Sequence, residues 1–75
     1  MLSKRETQLV LEQFFTDCVK FQKKDGKNER EAYMAAIQDI YSINHNPYSP
    51  QGEELNQEAK TEFLRIRLTD LGGVK

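Results

Sequence analysis

His45 is the single histidine and Cys18 the single cysteine of this 75-residue chain, and between them they bound the chemistry it can carry. His45 has the only side chain whose ordinary pKa lies near neutrality. It sits in the polar stretch Asn44, His45, Asn46, Pro47, Tyr48, the kind of loop where functional residues collect. A general base also needs an orienting partner and a pocket. The neighbouring asparagines and tyrosine supply no such set, so a solvated or hydrogen-bonded loop histidine is expected. Cys18 falls inside the apolar arc of a helix, away from any helix N-terminus or clear cationic neighbour that would lower its pKa. It is expected to behave as a small hydrophobe.

The same counts exclude two staples. One cysteine allows no intrachain disulfide, and one cysteine with one histidine leaves too few soft ligands for a dedicated zinc site. Glu54, Glu58 and Glu62 recur every four residues, the spacing of a wet helix flank. No glycine-rich phosphate loop, nucleophile elbow or paired metal motif occurs. Gly72 and Gly73 have the form of a conjugation tail, but Val74 and Lys75 follow and no β-rich pattern precedes them, so a helix stop is expected. The sequence predicts no catalytic residue, no metal and no cofactor, and thus a protein that is not an enzyme.

Charge sharpens this. The net charge is -1, and only residues 1–27 are basic. Their lysines Lys20, Lys23, Lys24 and Lys27 gather where a first helix should end and complement its macrodipole. A phosphate-binding patch is the alternative. Met1 to Glu6 carry no apolar run, so no secretory leader is read there, and no stretch approaches the roughly 18 apolar residues of a membrane span. With an unpaired thiol, a cytoplasmic protein without membrane contact is expected.

The elements that would position these residues read as an all-α domain over residues 1–75. Ser3 and Glu6 have capping-box spacing and open a helix over about 4–24, whose apolar arc comprises Val10, Leu11, Phe14, Phe15, Cys18, Val19 and Phe21. Leu9 falls among the polar residues. Asp25 and Gly26 stop it. Asn28 and Glu31 repeat the box for a helix over about 29–43, with Ala32, Tyr33, Ala36, Ile37, Ile40 and Tyr41 on one face. The first two helices should form an antiparallel hairpin. Pro47 and Pro50 then enforce an ordered loop onto which Tyr48 offers a ring. A third helix is expected over about 51–71, capped either by Ser49 with Pro50 in the first turn or by Gly52 with Glu53 and Glu54 there. Leu64 to Leu68 also alternates with the period of a strand, but no other segment alternates to pair with it.

This third helix carries two apolar stripes. Leu55, Ala59, Phe63 and Ile66 fall on one side and Leu64, Leu68 and Leu71 nearly opposite. The first stripe can lie in the groove of the hairpin; the second is left facing outward. A chain of this size has a core at the lower edge of what folds alone, and a homodimer is the commonest closure of such a patch. The predicted contact residues are Leu64, Leu68 and Leu71, flanked by Arg65 and Arg67. The expected function is protein–protein interaction, as a homodimer or as a small adaptor, inhibitor or regulator of another protein. Leu68 and Leu71 folding back over the end of the hairpin is the simpler fate for the same residues. A helix-turn-helix DNA-binding regulator is the second functional class. Arg65, Arg67 and Lys60 would be its phosphate contacts, but Glu53, Glu54 and Glu58 on helix 3, or Glu29, Glu31 and Asp39 around Arg30 on helix 2, would repel the backbone.

Overall fold

The computed structural model describes residues 1–74, and among them three helices form: α1 (Lys4–Lys24), α2 (Glu29–Ser42) and α3 (Gln57–Leu71). The small all-α three-helix domain read from the sequence is the fold observed. Both predicted capping boxes are made. The Glu6 N–H donates to Ser3 Oγ at 3.1 Å and the Ser3 N–H to Glu6 Oε1 at 3.0 Å. Asn28 and Glu31 make the same pair at 2.8 and 3.3 Å. Each box satisfies N–H groups that a helix start leaves without a partner. Gly26, at φ 95°, takes the left-handed position after α1 that a side chain would disfavour.

The core gathers Leu11 and Phe15 of α1, Ala36, Ile37 and Ile40 of α2, and Leu55, Phe63 and Leu64 from the C-terminal part. Ala32 and Ala36 are fully buried, as expected of small residues that admit a neighbouring helix closely. Two residues assigned to apolar faces lie outside them. Phe21 and Tyr41 are exposed: Phe21 sits in the last turn of α1, past the core, and Tyr41 lies at the edge of α2 beside α3 instead of beneath it. Leu9 is exposed, as its polar surroundings predict.

α3 starts at Gln57, six residues later than expected. Residues 44–46 and 53–55 run antiparallel instead, with the Leu55 N–H donating to Asn44 O at 2.9 Å and the Asn46 N–H to Glu53 O at 2.8 Å. The Leu2 N–H adds a bond to Glu54 O at 2.8 Å. A bend at Ser49–Gly52 closes this small hairpin, with Gly52 at φ 59°. Extended backbone at 53–55 drives Leu55 fully into the core without being helical. Asn56 then caps α3, its Oδ1 accepting from the Ala59 N–H at 3.1 Å. Its own N–H donates to the hydroxyl of Thr7, which is completely buried, at 3.0 Å. The loop tip is tied to α1 by Tyr48, whose hydroxyl donates to Asp17 Oδ2 at 2.6 Å.

α2 and α3 cap each other. Neither has a basic residue in its own last turn, and each receives one from the other's first turns. Lys60 Nζ donates to Tyr41 O (3.1 Å), Ile43 O (2.6 Å) and Asn44 Oδ1 (3.3 Å) at the end of α2. Arg30 Nη1 donates to Leu71 O (3.0 Å) and Val74 O (3.2 Å) at the end of α3. Cations at helix C-termini satisfy free carbonyls and complement the dipole, so this reciprocal arrangement fixes the two helices antiparallel.

Candidate interaction surface

The rotation of α3 decides which leucines are available. Its buried residues are Ala59, Lys60, Phe63 and Leu64, so the two predicted stripes are not inner and outer. Leu64 belongs to the core, at 6% exposure, whereas Ile66, predicted to face inward, is 45% exposed. Leu71 is half-buried and packs against the core, and Leu68 stays 45% exposed. Arg67 turns inward, its guanidinium 4.5 Å from the centre of the Phe15 ring and 4.9 Å from that of Phe63. Arg65 stays exposed and pairs with Glu62 at 3.2 Å.

Of the five predicted contact residues, then, Leu68 with the outer part of Leu71 and Arg65 lies on the surface, while Leu64 and Arg67 serve the fold. What joins Leu68 is contributed by α2. Met34 and Tyr41, 42% and 56% exposed, stand across the α2/α3 seam from it. Together with Ile37, Gln38 and Leu71 they line a groove of about 190 Å³. Past Tyr41 and Leu68 the groove continues over Thr61, Leu64 and Arg65. The sequence reading missed Met34 and misassigned Tyr41, although Met34, Ile37 and Tyr41 follow one helical ridge at i, i+3 and i+7.

The residues considered for chemistry are dispersed. His45 is exposed and meets Glu54 only through the backbone bridge between their extended arms. Burial, with Asp39 nearby, pushes the half-buried Cys18 thiol up from 9.0 to about 12, leaving it protonated and a poor nucleophile. Glu58 pairs with Lys4 at 2.8 Å, and that ammonium holds its carboxyl below the usual range. No three His, Cys, Asp or Glu side chains among the described residues are grouped to hold a metal. No helix among them is long and apolar enough to cross a membrane. α2 and α3 are separated by the hairpin of residues 43–56, far longer than the three or four residues of a helix-turn-helix, and Arg30 is occupied by the end of α3.

The geometry defines a three-helix domain whose continuous apolar surface is a helix–helix seam. No protein-family model, curated protein or solved structure matches the chain.

Proposed function

We propose that this chain is a non-enzymatic protein–protein interaction module that pairs with a second copy of itself across the α2/α3 seam. The observation that carries the reading is the convergence of Met34, Tyr41 and Leu68, each about half exposed, on one groove formed by two helices. A single exposed leucine needs no explanation, but a contiguous cluster of large apolar residues does. Charge favours a like partner: Arg65 is matched by Glu62 at the groove's edge and the chain carries a net charge of only -1. Two copies in an isologous arrangement therefore meet without strong like-charge repulsion. The unpaired, protonated thiol of Cys18 fits a reducing, cytoplasmic setting.

Magnitudes set the affinity. Fully burying a large apolar side chain contributes roughly 1.5–3 kcal/mol. Half of that, for three residues on each of two copies, is roughly 4–9 kcal/mol. Association costs on the order of 4 kcal/mol or more, so at most about 5 kcal/mol remains and pairing is weak, with a Kd no tighter than about 0.2 mM. Sedimentation equilibrium over a concentration series tests this. The parent mass should rise toward that of a dimer, and Leu68→Glu should hold it at monomer with unchanged helicity. A parent that stays monomeric up to about 2 mM, or a Leu68→Glu chain that pairs equally well, overturns the proposal.

A further inference from the structure

A second cleft, of about 340 Å³, opens where α1, α2 and α3 meet on the α1 side of Arg67, and its lining differs in kind from the seam. Its apolar floor is made by Phe15, Val19 and Tyr33. The Phe15 and Tyr33 rings stand edge to face, with centroids 4.8 Å apart. Three cations, Arg67, Lys20 and Lys23, and one carboxylate, Glu29, also line the cleft. Lys23 is engaged by Glu29, whereas Lys20 makes no ion pair among the described residues.

Arg67 is the unusual member. Its side chain is only 29% exposed and its guanidinium is held against two rings, yet the nearest carboxylate, Asp70, stands 3.9 Å away. That is too long for a hydrogen bond. The Arg67 guanidinium donates no hydrogen bond within the protein among the described residues. A planar, partly desolvated fork of N–H donors with its position fixed by stacking is suited to a carboxylate. Thr16 adds a hydroxyl at the rim.

We propose that this cleft binds a small aromatic carboxylate of one or two rings, with the ring on the Phe15, Val19 and Tyr33 floor and the carboxylate between Arg67 and Lys20. The volume is at the small end for ligand sites, which sets the size. An inorganic anion would leave the apolar floor unused, and a neutral ring would leave Lys20 without an ion-pair partner and the Arg67 fork without a hydrogen-bond acceptor. The pairing of floor and fork selects a molecule with both parts.

The test is an amide NMR titration of the full chain with 2-naphthoate, alongside 2-naphthamide and inorganic phosphate. 2-Naphthoate should give saturable shifts clustered at Phe15, Val19, Tyr33 and Arg67, with 2-naphthamide and phosphate at least about tenfold weaker. Lys20→Glu changes an exposed side chain and should leave the fold intact, while weakening 2-naphthoate about tenfold. The Leu68→Glu chain should bind as the parent does, which separates this site from pairing across the seam. Shifts scattered over the surface, equal binding of 2-naphthamide or phosphate, or a Lys20→Glu chain with unchanged affinity would each overturn the assignment.

Discussion

Lys60 is the residue on which the physical account of this fold is most exposed to test. It is 7% exposed, has no carboxylate partner among the described residues, and spends its three donors on Tyr41 O, Ile43 O and Asn44 Oδ1. Lys60→Met keeps most of the apolar stem and removes the ammonium. Two opposed terms follow. Hydrogen bonds to a charged group are worth roughly 1.5–3 kcal/mol each, and two of the three end on carbonyls that α2 cannot satisfy by itself. Against them stands desolvation of the ammonium, several kcal/mol, which also pushes the Lys60 pKa below its ordinary 10.5.

Three bonds against one desolvation leave a net loss of about 2–3 kcal/mol for Lys60→Met. A chain of this length has roughly 4–11 kcal/mol in total, so the effect is large, equivalent to roughly 10–20 °C in Tm. Urea and thermal unfolding followed by circular dichroism measure it. Amide exchange supplies the local readout, since the last turn of α2 should open faster than the middle of α1. A Lys60→Met chain as stable as the parent, or more stable, would refute the reasoning. It would mean that an apolar replacement is preferred here, as it is for some buried ion pairs, and that α2 ends without help from α3.

Thr7→Val should cost about 1–3 kcal/mol, because the part-buried Asn56 N–H loses the hydroxyl of a fully buried residue as its partner. Asn56→Ala should cost about 1 kcal/mol through loss of the α3 cap. The two should be non-additive in a double-mutant cycle by chemical denaturation, because both act on the start of α3. Cys18 should react with iodoacetamide at pH 9 at least about a hundredfold more slowly in the folded chain than in urea, since its thiol is held protonated to about 12. The folded state then keeps a proton that the unfolded chain releases from about 9 upward, so this group's stabilisation is complete below 9 and is lost as pH rises toward 12. Cys18→Ala should flatten that part of the stability–pH profile, and a profile parallel to the parent's would count against the assignment.

The helix starts were legible because capping is local. Ser3 with Glu6 and Asn28 with Glu31 announce their helices within four residues, and both boxes form as read. The start of α3 was not, because Asn56 lacks a box partner and two upstream positions, Ser49 and Gly52, mimic a cap. What places the start at Asn56 is long-range: the buried Thr7 hydroxyl, the pairing of 44–46 with 53–55, and the bond from Leu2. None of these leaves a periodic trace, and a hairpin this short shows no alternation to read. The carboxylates of Glu54 and Glu58 looked like one helical flank, but only Glu58 and Glu62 share a helix.

The two stripes of α3 mislead for a more instructive reason. At about 100° per residue, Ala59 and Phe63 on one side and Leu64 and Leu71 on the other are the shoulders of a single broad face, and its centre is occupied by Lys60 and Arg67. A reading that counts only apolar residues sees two separate stripes with a charged gap between them and infers two partners. The gap in fact faces the rest of the fold. Lys60 is inserted to close α2, and Arg67 is laid over Phe15 and Phe63 with its apolar stem covered. Once those two cations count as inward-facing, Leu64 is committed to the core, Ile66 and Leu68 become opposite edges of the face, and only the Leu68 edge meets further exposed apolar residues, Met34 and Tyr41. The same correction produces both proposed surfaces. Leu68 leaves an apolar seam with α2, while Arg67, held by rings instead of by a close carboxylate, leaves a cationic cleft toward α1.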